Sequence, residues 1–517
     1  MSNVVNPALA LGARIVRAGG LRACAAVVLA STIGACDPGV SAPAVPLTAA
    51  ELEQFESPET LSSWDEKGSW PQFAHDPLHT GRTKVDLGTN ELELAWKFRS
   101  SDYTYAYEPT YIAWSSPVVG TVGGKPMVFV GSYDHTLYAI DARTGEQAWH
   151  FTAGYPVFAA PALGRVGDRP VVFIAPRDRA VYALDARTGE KIWSIEVQKW
   201  TFTAEQSEMS APTVIDADGK TLVYVGIMSV DRSAAQNLQR GEIFCLDGAS
   251  GDIVWKQHVG HSPVMAPAVA RIGGKLVVVV AAEQGAVFSY DAMTGEKLWK
   301  KPFILDDMTS SSTSMGAPNG IPLVYIGTQF NAVYALDART GAKRWRKQTL
   351  NWVHSTPALM GTSDDLRVVV GSYDFNVHSF AADTGEVVWA HGLGGWAHTS
   401  AITARVRGKP VVVAGAWDDT LYMLSGDDGP FDNEAGDRVL WSYQTGPLQW
   451  SHVQQGDAVW ASPAIALFDG IPHVVYPAYD GVVYAFRGKA SGGAEASNLT
   501  VGTIQSVPPI AGTIRKE

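Results

Sequence analysis

The chain has 517 residues and a formal net charge of −12 at pH 7, with 46% hydrophobic and 18% charged residues. This acidic balance argues against nucleic-acid binding, which depends on clustered Lys and Arg side chains. There are three cysteines, Cys24, Cys36 and Cys245, and two of them lie near the N-terminus.

Residues 1–35 are typical of a signal peptide. They contain three arginines, no acidic residue and a short apolar run over 23–33. That run is too short to span a bilayer. The residues before Cys36 resemble a bacterial lipobox, and the resemblance implies that Cys36 is acylated after cleavage. We therefore predict a lipoprotein of the bacterial cell envelope, facing the periplasm or the cell exterior, with the choice of inner or outer membrane left open.

The mature chain is then predicted to keep Cys245 as its one unmodified thiol, so no disulfide forms within it. Cys245 lies in an apolar run and is expected to be a small buried residue. Residues 36–69 are rich in Ala, Pro, Ser and Glu, and we predict a lipidated cysteine followed by a flexible tether. One short helix is predicted after the Thr48-x-x-Glu51 capping box. Residues 489–517 are predicted to be a low-complexity tail.

A repeat dominates the rest of the chain. The twelve residues 138–149 recur nearly unchanged 44 residues later at 182–193. Degenerate copies follow at 244–255, 288–299, 334–345 and 378–389, and an interrupted copy at 422–441. A period of this length indicates an array of supersecondary units that bury their apolar faces against one another.

Each repeat contains four short apolar runs separated by Gly, Asp and Pro, which predicts four β-strands. A Thr-Gly pair lies between the third and fourth runs, where Gly permits the positive φ of a tight hairpin. A Trp follows that Gly by four residues in the regular copies. We expect this Trp to pack against the next repeat.

The signature Ala-x-Asp-x-x-Thr-Gly-x-x-x-Trp resembles the tryptophan-docking motif of the quinoprotein (pyrroloquinoline-quinone-like) β-propellers. The resemblance implies an all-β, eight-bladed propeller of four-stranded antiparallel blades over 70–488, acting as a monomer. Seven closing tryptophans account for seven blades. The eighth is predicted to form from an N-terminal strand at 92–98 and the C-terminal run 482–488, which closes the ring and removes the free edge. Residues 70–81 are also similar to the opening segment of this family.

Three loops that lead into innermost strands carry a Trp-x-His triplet, and such loops gather at one mouth of a propeller channel. A spacing of two in extended chain places both side chains on one side. The triplets contain Trp352 and His354, Trp396 and His398, and Trp450 and His452. Neighbouring loops add Trp114 and His261.

Convergence of these loops predicts a metal site formed by His354, His398 and His452, with His261 nearby. Imidazole nitrogens suit copper or zinc. The tryptophans Trp352, Trp396, Trp450 and Trp114 would wall a dry pocket or stack on a flat or cationic ligand. The alternative is that the triplets are ancestral repeat sequence, with each Trp packing its loop and each His bonding to a carbonyl. The third triplet is out of register with the other two.

Acidic residues recur in the turns between second and third strands of most blades. They are Asp134, Asp178, Asp374, Asp418 and Asp480. Aspartate side chains stabilise turns by bonding to the backbone two residues on, so we predict structural roles for all five.

The family resemblance implies two kinds of function. One is the non-catalytic lipoprotein component of the outer-membrane β-barrel assembly machinery. The other is a dehydrogenase that uses pyrroloquinoline quinone with calcium. Parts expected for that enzyme are missing, since the mature chain has no vicinal cysteine pair and no Cys-x-x-Cys-His haem site, and no catalytic residue can be assigned.

We therefore predict a lipid-anchored envelope propeller that binds a protein partner or a small ligand at its channel mouth. A metal-dependent (copper or zinc) or quinone-dependent oxidoreductase that uses the Trp-x-His loops is the alternative. Fold ancestry does not decide between them, because function depends on the site.

Overall fold

The computed structural model describes residues 45–62, 64, 66–99, 115–197, 208–231, 238–260, 265–427, 437–446, 461–478 and 480–489. Within these residues the chain forms eight β-sheets and one α-helix, α1 (Ala49–Glu56). Short 3-10 helices occupy Pro58–Leu61, Pro318–Gly320 and Ser363–Asp365. The predicted all-β, eight-bladed propeller is confirmed.

The strands before and within the first four blades follow in chain order. They are β1 (Arg82–Asp86), β2 (Leu92–Arg99), β3 (Val118–Val122), β4 (Lys125–Gly131), β5 (Thr136–Asp141), β6 (Gln147–Thr152), β7 (Ala162–Val166), β8 (Arg169–Ile174), β9 (Ala180–Asp185), β10 (Lys191–Glu196), β11 (Glu208–Met209), β12 (Thr213–Ala217), β13 (Lys220–Asp231), β14 (Leu238–Asp247), β15 (Ile253–Gly260), β16 (Ala268–Ile272), β17 (Lys275–Ala281), β18 (Ala286–Asp291) and β19 (Phe303–Ile304).

The strands of the remaining four blades continue the series. They are β20 (Ser314–Gly316), β21 (Leu323–Gly327), β22 (Ala332–Asp337), β23 (Lys343–Gln348), β24 (Ala358–Met360), β25 (Arg367–Gly371), β26 (Asn376–Ala381), β27 (Val387–Gly392), β28 (Ile402–Val406), β29 (Lys409–Ala416), β30 (Thr420–Ser425), β31 (Val439–Gln444), β32 (Ala464–Phe468), β33 (Ile471–Pro477) and β34 (Val482–Gly488).

Blades one to seven are formed by β3–β6, β7–β10, β11–β15, β16–β19, β20–β23, β24–β27 and β28–β31, respectively. The eighth blade combines both ends of the propeller. Strand β2 pairs antiparallel with β34, which continues the sheet β34–β33–β32. Leu94 lies opposite Phe486, and Phe98 lies opposite Val483. The two segments predicted to share a blade therefore do so. The short strand β1 pairs in parallel with β28, the innermost strand of blade seven.

Tryptophans at the outer strands link neighbouring blades. The Trp149 indole Nε1 donates to the Ala186 carbonyl oxygen at 3.1 Å, and its six-membered ring lies against Gly189. Gly189 has φ +76°, and a Cβ there would lie 2.5 Å from the Trp149 ring. The same contact recurs between Trp96 and Gly145, Trp193 and Gly251, Trp255 and Gly295, Trp299 and Gly341, and Trp345 and Gly385. Each Thr-Gly hairpin thus needs Gly for two reasons, its backbone conformation and the adjoining indole.

Residues 68–82, here called the axial segment, run past the innermost strand of every blade. Oxygens of this segment accept a backbone N–H from each innermost strand at 2.7–2.9 Å, in blade order around the ring. The donors are Leu467, Val119, Leu163, Val214, Val269, Met315, Leu359 and Thr403. An innermost strand is an edge strand, and such edges need partners for their backbone groups. One continuous segment supplies a partner to all eight blades.

The axial segment contains a buried histidine. His79 is 1% exposed, and its Nδ1 lies 3.0 Å from the Thr313 carbonyl oxygen. A carbonyl only accepts, so Nδ1 carries the proton in the neutral ring. Nε2 lies 3.2 Å from the Thr213 hydroxyl. Burial lowers the pKa of His79 to about 4.

The described residues from 45 up to the axial segment pack onto the propeller. Thr48 caps α1, with its backbone N–H donating to Glu51 Oε2 at 2.8 Å. Phe55, Leu61 and Trp64 are each no more than 3% exposed. We expected a flexible tether over 36–69, whereas its described residues from 45 onward bury apolar side chains. No helix among the described residues is long and apolar enough to cross a membrane.

The indole contact predicts a difference between two glycines of blade two. Gly167→Ala should cost about 1 kcal/mol of unfolding free energy, because Gly167 has φ +58° but nothing lies near its Cβ position. Gly189→Ala should cost about 2–4 kcal/mol, because overlap with Trp149 adds to backbone strain. Denaturant unfolding midpoints of both variants test this. Equal losses would mean that the indole contact contributes nothing.

Buried histidines predict acid lability. The pKa of His79 is about 4 in the folded chain and 6.5 ordinarily, so the unfolded chain binds more protons between these values. Stability is then retained above pH 6.5 and falls as the pH drops towards 4, by about 3 kcal/mol for one such group. Thermal unfolding at pH 7 and 4.5 should show a smaller pH effect in His79→Gln than in the unchanged chain. His150→Gln, at an exposed position, should leave the pH effect intact.

Candidate functional site

Two of the Trp-x-His loops converge at the channel mouth. The loop with Trp352 and His354 precedes β24, and the loop with Trp396 and His398 precedes β28. The ring centroids of His354 and His398 lie 5.9 Å apart with an interplanar angle of 63°. His354 is 9% exposed and His398 is 2% exposed. Trp352 stacks on His354 at 5.3 Å.

Tyr373 joins the two loops. Its ring centroid lies 4.8 Å from that of His354 and 5.1 Å from that of His398. It stacks on Trp396 at 4.9 Å with an interplanar angle of 7°. Trp417 completes the group, 4.5 Å from Trp396 and 6.1 Å from His398. We call these six residues the mouth cluster: Trp352, His354, Tyr373, Trp396, His398 and Trp417.

The middle residue of each triplet sets the direction of its neighbours. Val353 and Ala397 are no more than 1% exposed and lie against Gly327 and Gly371 of the preceding blade. A Cβ at Gly371 would overlap the Ala397 carbonyl. With the middle side chain buried on one side, the flanking Trp and His lie together on the other.

Tyr373 and Trp417 were not predicted as site residues. Each lies in the turn after the second strand of its blade, and backbone bonds attach each turn to a Trp-x-His loop. Tyr373 N–H donates to the Trp352 carbonyl at 2.9 Å, and Trp417 N–H donates to the Trp396 carbonyl at 3.1 Å. An aromatic residue directly before the turn aspartate was the available sequence signal.

Burial governs the electrostatics of the cluster. It lowers the pKa of His354 to about 4, so this imidazole is neutral at neutral pH. It also raises the pKa of the Tyr373 phenol. The pKa of Asp374 is lowered to about 2: burial raises it, but hydrogen bonds from His378, Leu350 and Asn376 outweigh that effect. His378 Nε2 lies 2.9 Å from Asp374 Oδ2.

The structural role predicted for the turn aspartates is confirmed. Each accepts the backbone N–H two residues on, at 3.0–3.2 Å, as Asp134 does from Thr136. Each also bonds to a ring four residues on, a contact that was not predicted. The pairs are Asp134 with Tyr138, Asp178 with Tyr182, Asp374 with His378, Asp418 with Tyr422, and Asp480 with Tyr484.

The other predicted site residues lie outside the described residues. They are Trp114, Trp450, His261, His452 and Cys36. Across the described ranges, no three or more His, Cys, Asp or Glu side chains are grouped so as to hold a metal ion. The predicted three-histidine site is thus represented by one pair. Cys245 is buried as expected, and burial raises its pKa to about 12.

Exposed apolar side chains extend from the mouth cluster to the rim of blades five and six. We call Phe330, Leu350, Trp352 and Phe375 the rim strip. They are 63%, 85%, 41% and 43% exposed, respectively. Thr349 N–H bonds to the Asn331 carbonyl at 2.8 Å, and Leu350 N–H bonds to Asp374 Oδ2 at 3.0 Å. Leu350 therefore lies between the two turns that carry the phenylalanines.

A family model described as outer membrane protein assembly factor BamB matches three overlapping stretches, 85–225, 181–319 and 283–490. The chain belongs to this family. The family assignment confirms the resemblance to quinoprotein-like propeller repeats. No curated protein sequence matches the chain significantly.

Solved structures of quinoprotein dehydrogenases share the fold at low sequence identity. Quinohaemoprotein alcohol dehydrogenase from Comamonas testosteroni is 14% identical, covers 88% of this chain and 86% of its own, and has a TM-score of 0.59. A europium-containing methanol dehydrogenase is 14% identical over 85% of this chain and 100% of its own, with a TM-score of 0.58. BamB from Moraxella catarrhalis is 17% identical over 78% and 100%, with a TM-score of 0.48.

The close approach of Gly371 to the Ala397 carbonyl predicts the effect of adding a side chain at position 371. Gly371→Ala should displace the Ala397 loop and separate Tyr373 from Trp396, because its Cβ overlaps the Ala397 carbonyl. Near-ultraviolet circular dichroism should then lose part of its aromatic signal, while far-ultraviolet spectra stay the same. Gly392→Ala in the same blade is the control, since its Cβ would meet only Asn376 Oδ1 at 3.7 Å. Identical spectra for both variants would contradict the expected displacement.

Proposed function

We propose that this chain is a lipid-anchored protein of the bacterial cell envelope whose propeller binds a protein partner or a small ligand at its channel mouth. The signal-like residues 1–35 and Cys36 support the anchor. Membership of a family described as an outer membrane protein assembly factor supports an envelope role with a protein partner. The rim strip, continuous with the mouth cluster, is the observation that carries the proposal.

The rim strip has the chemistry of an interaction surface. Large apolar side chains exposed next to one another mark binding sites more often than scattered ones do. Aromatic residues contribute large contact areas and are enriched where partners bind. In the rim strip, three of four side chains are aromatic, and the fourth, Leu350, is 85% exposed.

Backbone conformation adds to this argument. Phe375 has φ +72°, a region that bulky residues seldom adopt. The equivalent turn positions hold His135, Arg179, Asn331 and Asp419, also at positive φ. Asn and Asp adopt this conformation more readily than Phe does. A strained and exposed phenylalanine is more easily explained by binding than by folding.

The described residues that precede the axial segment contact the propeller at the face opposite the mouth cluster. Leu47 N–H bonds to the Gly320 carbonyl at 2.7 Å, and Glu66 accepts from Thr121 N–H at 2.7 Å, both close to connections between first and second strands. The mouth cluster is formed by turns and loops at the other ends of those strands. A lipid attached upstream of residue 45 would therefore leave the mouth accessible to partners.

A metal-dependent or quinone-dependent oxidoreductase is the second candidate. The specific observation in its favour is the pair of buried imidazoles, His354 and His398, 5.9 Å apart. Copper and zinc both bind imidazole nitrogen. For a quinone enzyme with calcium, the likeness to the dehydrogenase structures supports the fold alone. Calcium prefers several oxygen ligands, and no group of three or more His, Cys, Asp or Glu side chains able to hold an ion is found among the described residues.

Site-specific photo-crosslinking in intact cells tests the first proposal. A photoreactive residue at position 350 should form a specific adduct, whereas one at position 471 should not. Ile471 is also an exposed apolar residue, but it lies at the opposite face. In chains carrying the probe at 350, Phe375→Asn should reduce the adduct about tenfold, since loss of one aromatic anchor costs more than 1 kcal/mol of binding.

The Asn substitution separates binding from folding. Blade five already has Asn331 at the equivalent position with φ +67°. Phe375→Asn should therefore keep or raise the thermal stability while weakening the adduct. Equal adducts from positions 350 and 471, or an adduct that Phe375→Asn leaves unchanged, would contradict docking at the rim strip.

A further inference from the structure

We propose that His354 and His398 together bind one monovalent copper ion at the channel mouth. This inference rests on the site of the second candidate function but requires binding only, not redox activity. It concerns an ion held by the two imidazoles, whereas docking is tested at Leu350 and Phe375, which are not part of the mouth cluster. Trp352 belongs to both groups, so each proposal is tested with a readout of its own, copper binding for one and the crosslinked adduct for the other.

The separation of the two rings allows one ion to contact both. A ring nitrogen lies about 2.0 Å from a bound metal of this size, which places the metal about 3.2 Å from the ring centroid. Two rings on one ion can then lie up to about 6.4 Å apart when they face each other across it. The observed 5.9 Å is within this limit and corresponds to a wide angle at the metal.

The burial of the pair also suits a bound ion. All four ring nitrogens of the two histidines are buried.

The surroundings favour an ion of low charge and low coordination number. Three aromatic rings lie beside the pair, and no described carboxylate or thiolate completes a group of three ligands with it. Zinc in proteins takes four ligands, and divalent copper prefers a tetragonal set of nitrogen and oxygen. The nearby carboxylates of Asp374 and Asp418 are already bonded within their own turns.

Aromatic walls can compensate a single positive charge. Indole and phenol faces attract cations within about 6 Å of the ring centroid, and most strongly in dry sites. Desolvation costs far more for two charges than for one, because the Born energy rises with the square of the charge. Trp352, Tyr373 and Trp417 all lie beside one of the two imidazoles. These conditions select monovalent copper over zinc.

Direct metal binding tests the inference. The full chain, purified without a histidine tag, is titrated anaerobically with monovalent copper in competition with a chromogenic chelator. One ion per chain should bind, and tryptophan fluorescence should fall because Trp352 stacks on His354. His354→Ala and His398→Ala should each weaken binding about 100-fold or more, above the usual effect of losing an outer-shell partner. His150→Ala, at an exposed position, should change nothing.

A second variant keeps the test informative if alanine disturbs folding. His398→Met supplies a soft thioether that binds monovalent copper and silver but suits zinc poorly. It should preserve binding of both monovalent ions. Tighter binding of zinc than of copper, or copper binding that survives in the His354→Ala, His398→Ala double variant, would overturn the proposal. Phe375→Asn, at a rim residue outside the mouth cluster, should leave copper binding unchanged while it weakens the adduct from position 350, which separates this result from the test of the rim strip.

Discussion

The hydrogen bonds from the axial segment to all eight innermost strands are the constraint on which the geometry of the mouth depends. Thr80 and Gly81 accept from Leu359 in β24 and Thr403 in β28 at 2.7 and 2.8 Å. These strands begin four residues after His354 and His398, respectively. Thr80 and Gly81 are adjacent in the axial segment, so their hydrogen bonds fix the relative position of β24 and β28. The loops that precede these two strands contain His354 and His398, and the spacing of the two histidines depends on that position.

The interface between blades six and seven differs from the regular blade interfaces. Blade seven lacks the Thr-Gly hairpin that receives an indole in the regular copies, and the insertion there places Arg438 instead. Its guanidinium carbon lies 4.2 Å from the Trp389 ring centroid, a cation–π contact. The Arg438 guanidinium also donates a hydrogen bond to the Ser425 carbonyl oxygen at 2.7 Å. A charged side chain held in this way replaces the close glycine contact, and Arg438 is buried there.

Much of the fold could be predicted from local sequence pattern, because the sequence of each repeat indicates its own strands and hairpin. The pairing of β2 with β34 followed from counting tryptophans. The path of the axial segment past all eight blades could not be predicted, because its hydrogen bonds join residues far apart in sequence and use mainly backbone groups. For the site, blade order predicts that His354 and His398 are neighbours. Their distance depends on small residues in adjacent blades, Gly327 and Gly371, whose role no local pattern reveals.

The repeat varies at the mouth, and a turn aspartate helps to explain why blade six tolerates this. The Asp374 carboxylate holds its turn through a backbone N–H and a ring four residues on, so the side chains of Tyr373 and Phe375 beside it are not needed to hold the turn. In blade five, Phe330 stands at the position that the aspartate occupies in blade six. A rigid scaffold with variable turns is the arrangement in which binding sites arise without loss of fold. The aromatic and imidazole groups of the mouth cluster lie in such turns and loops, and both proposed binding sites depend on this placement.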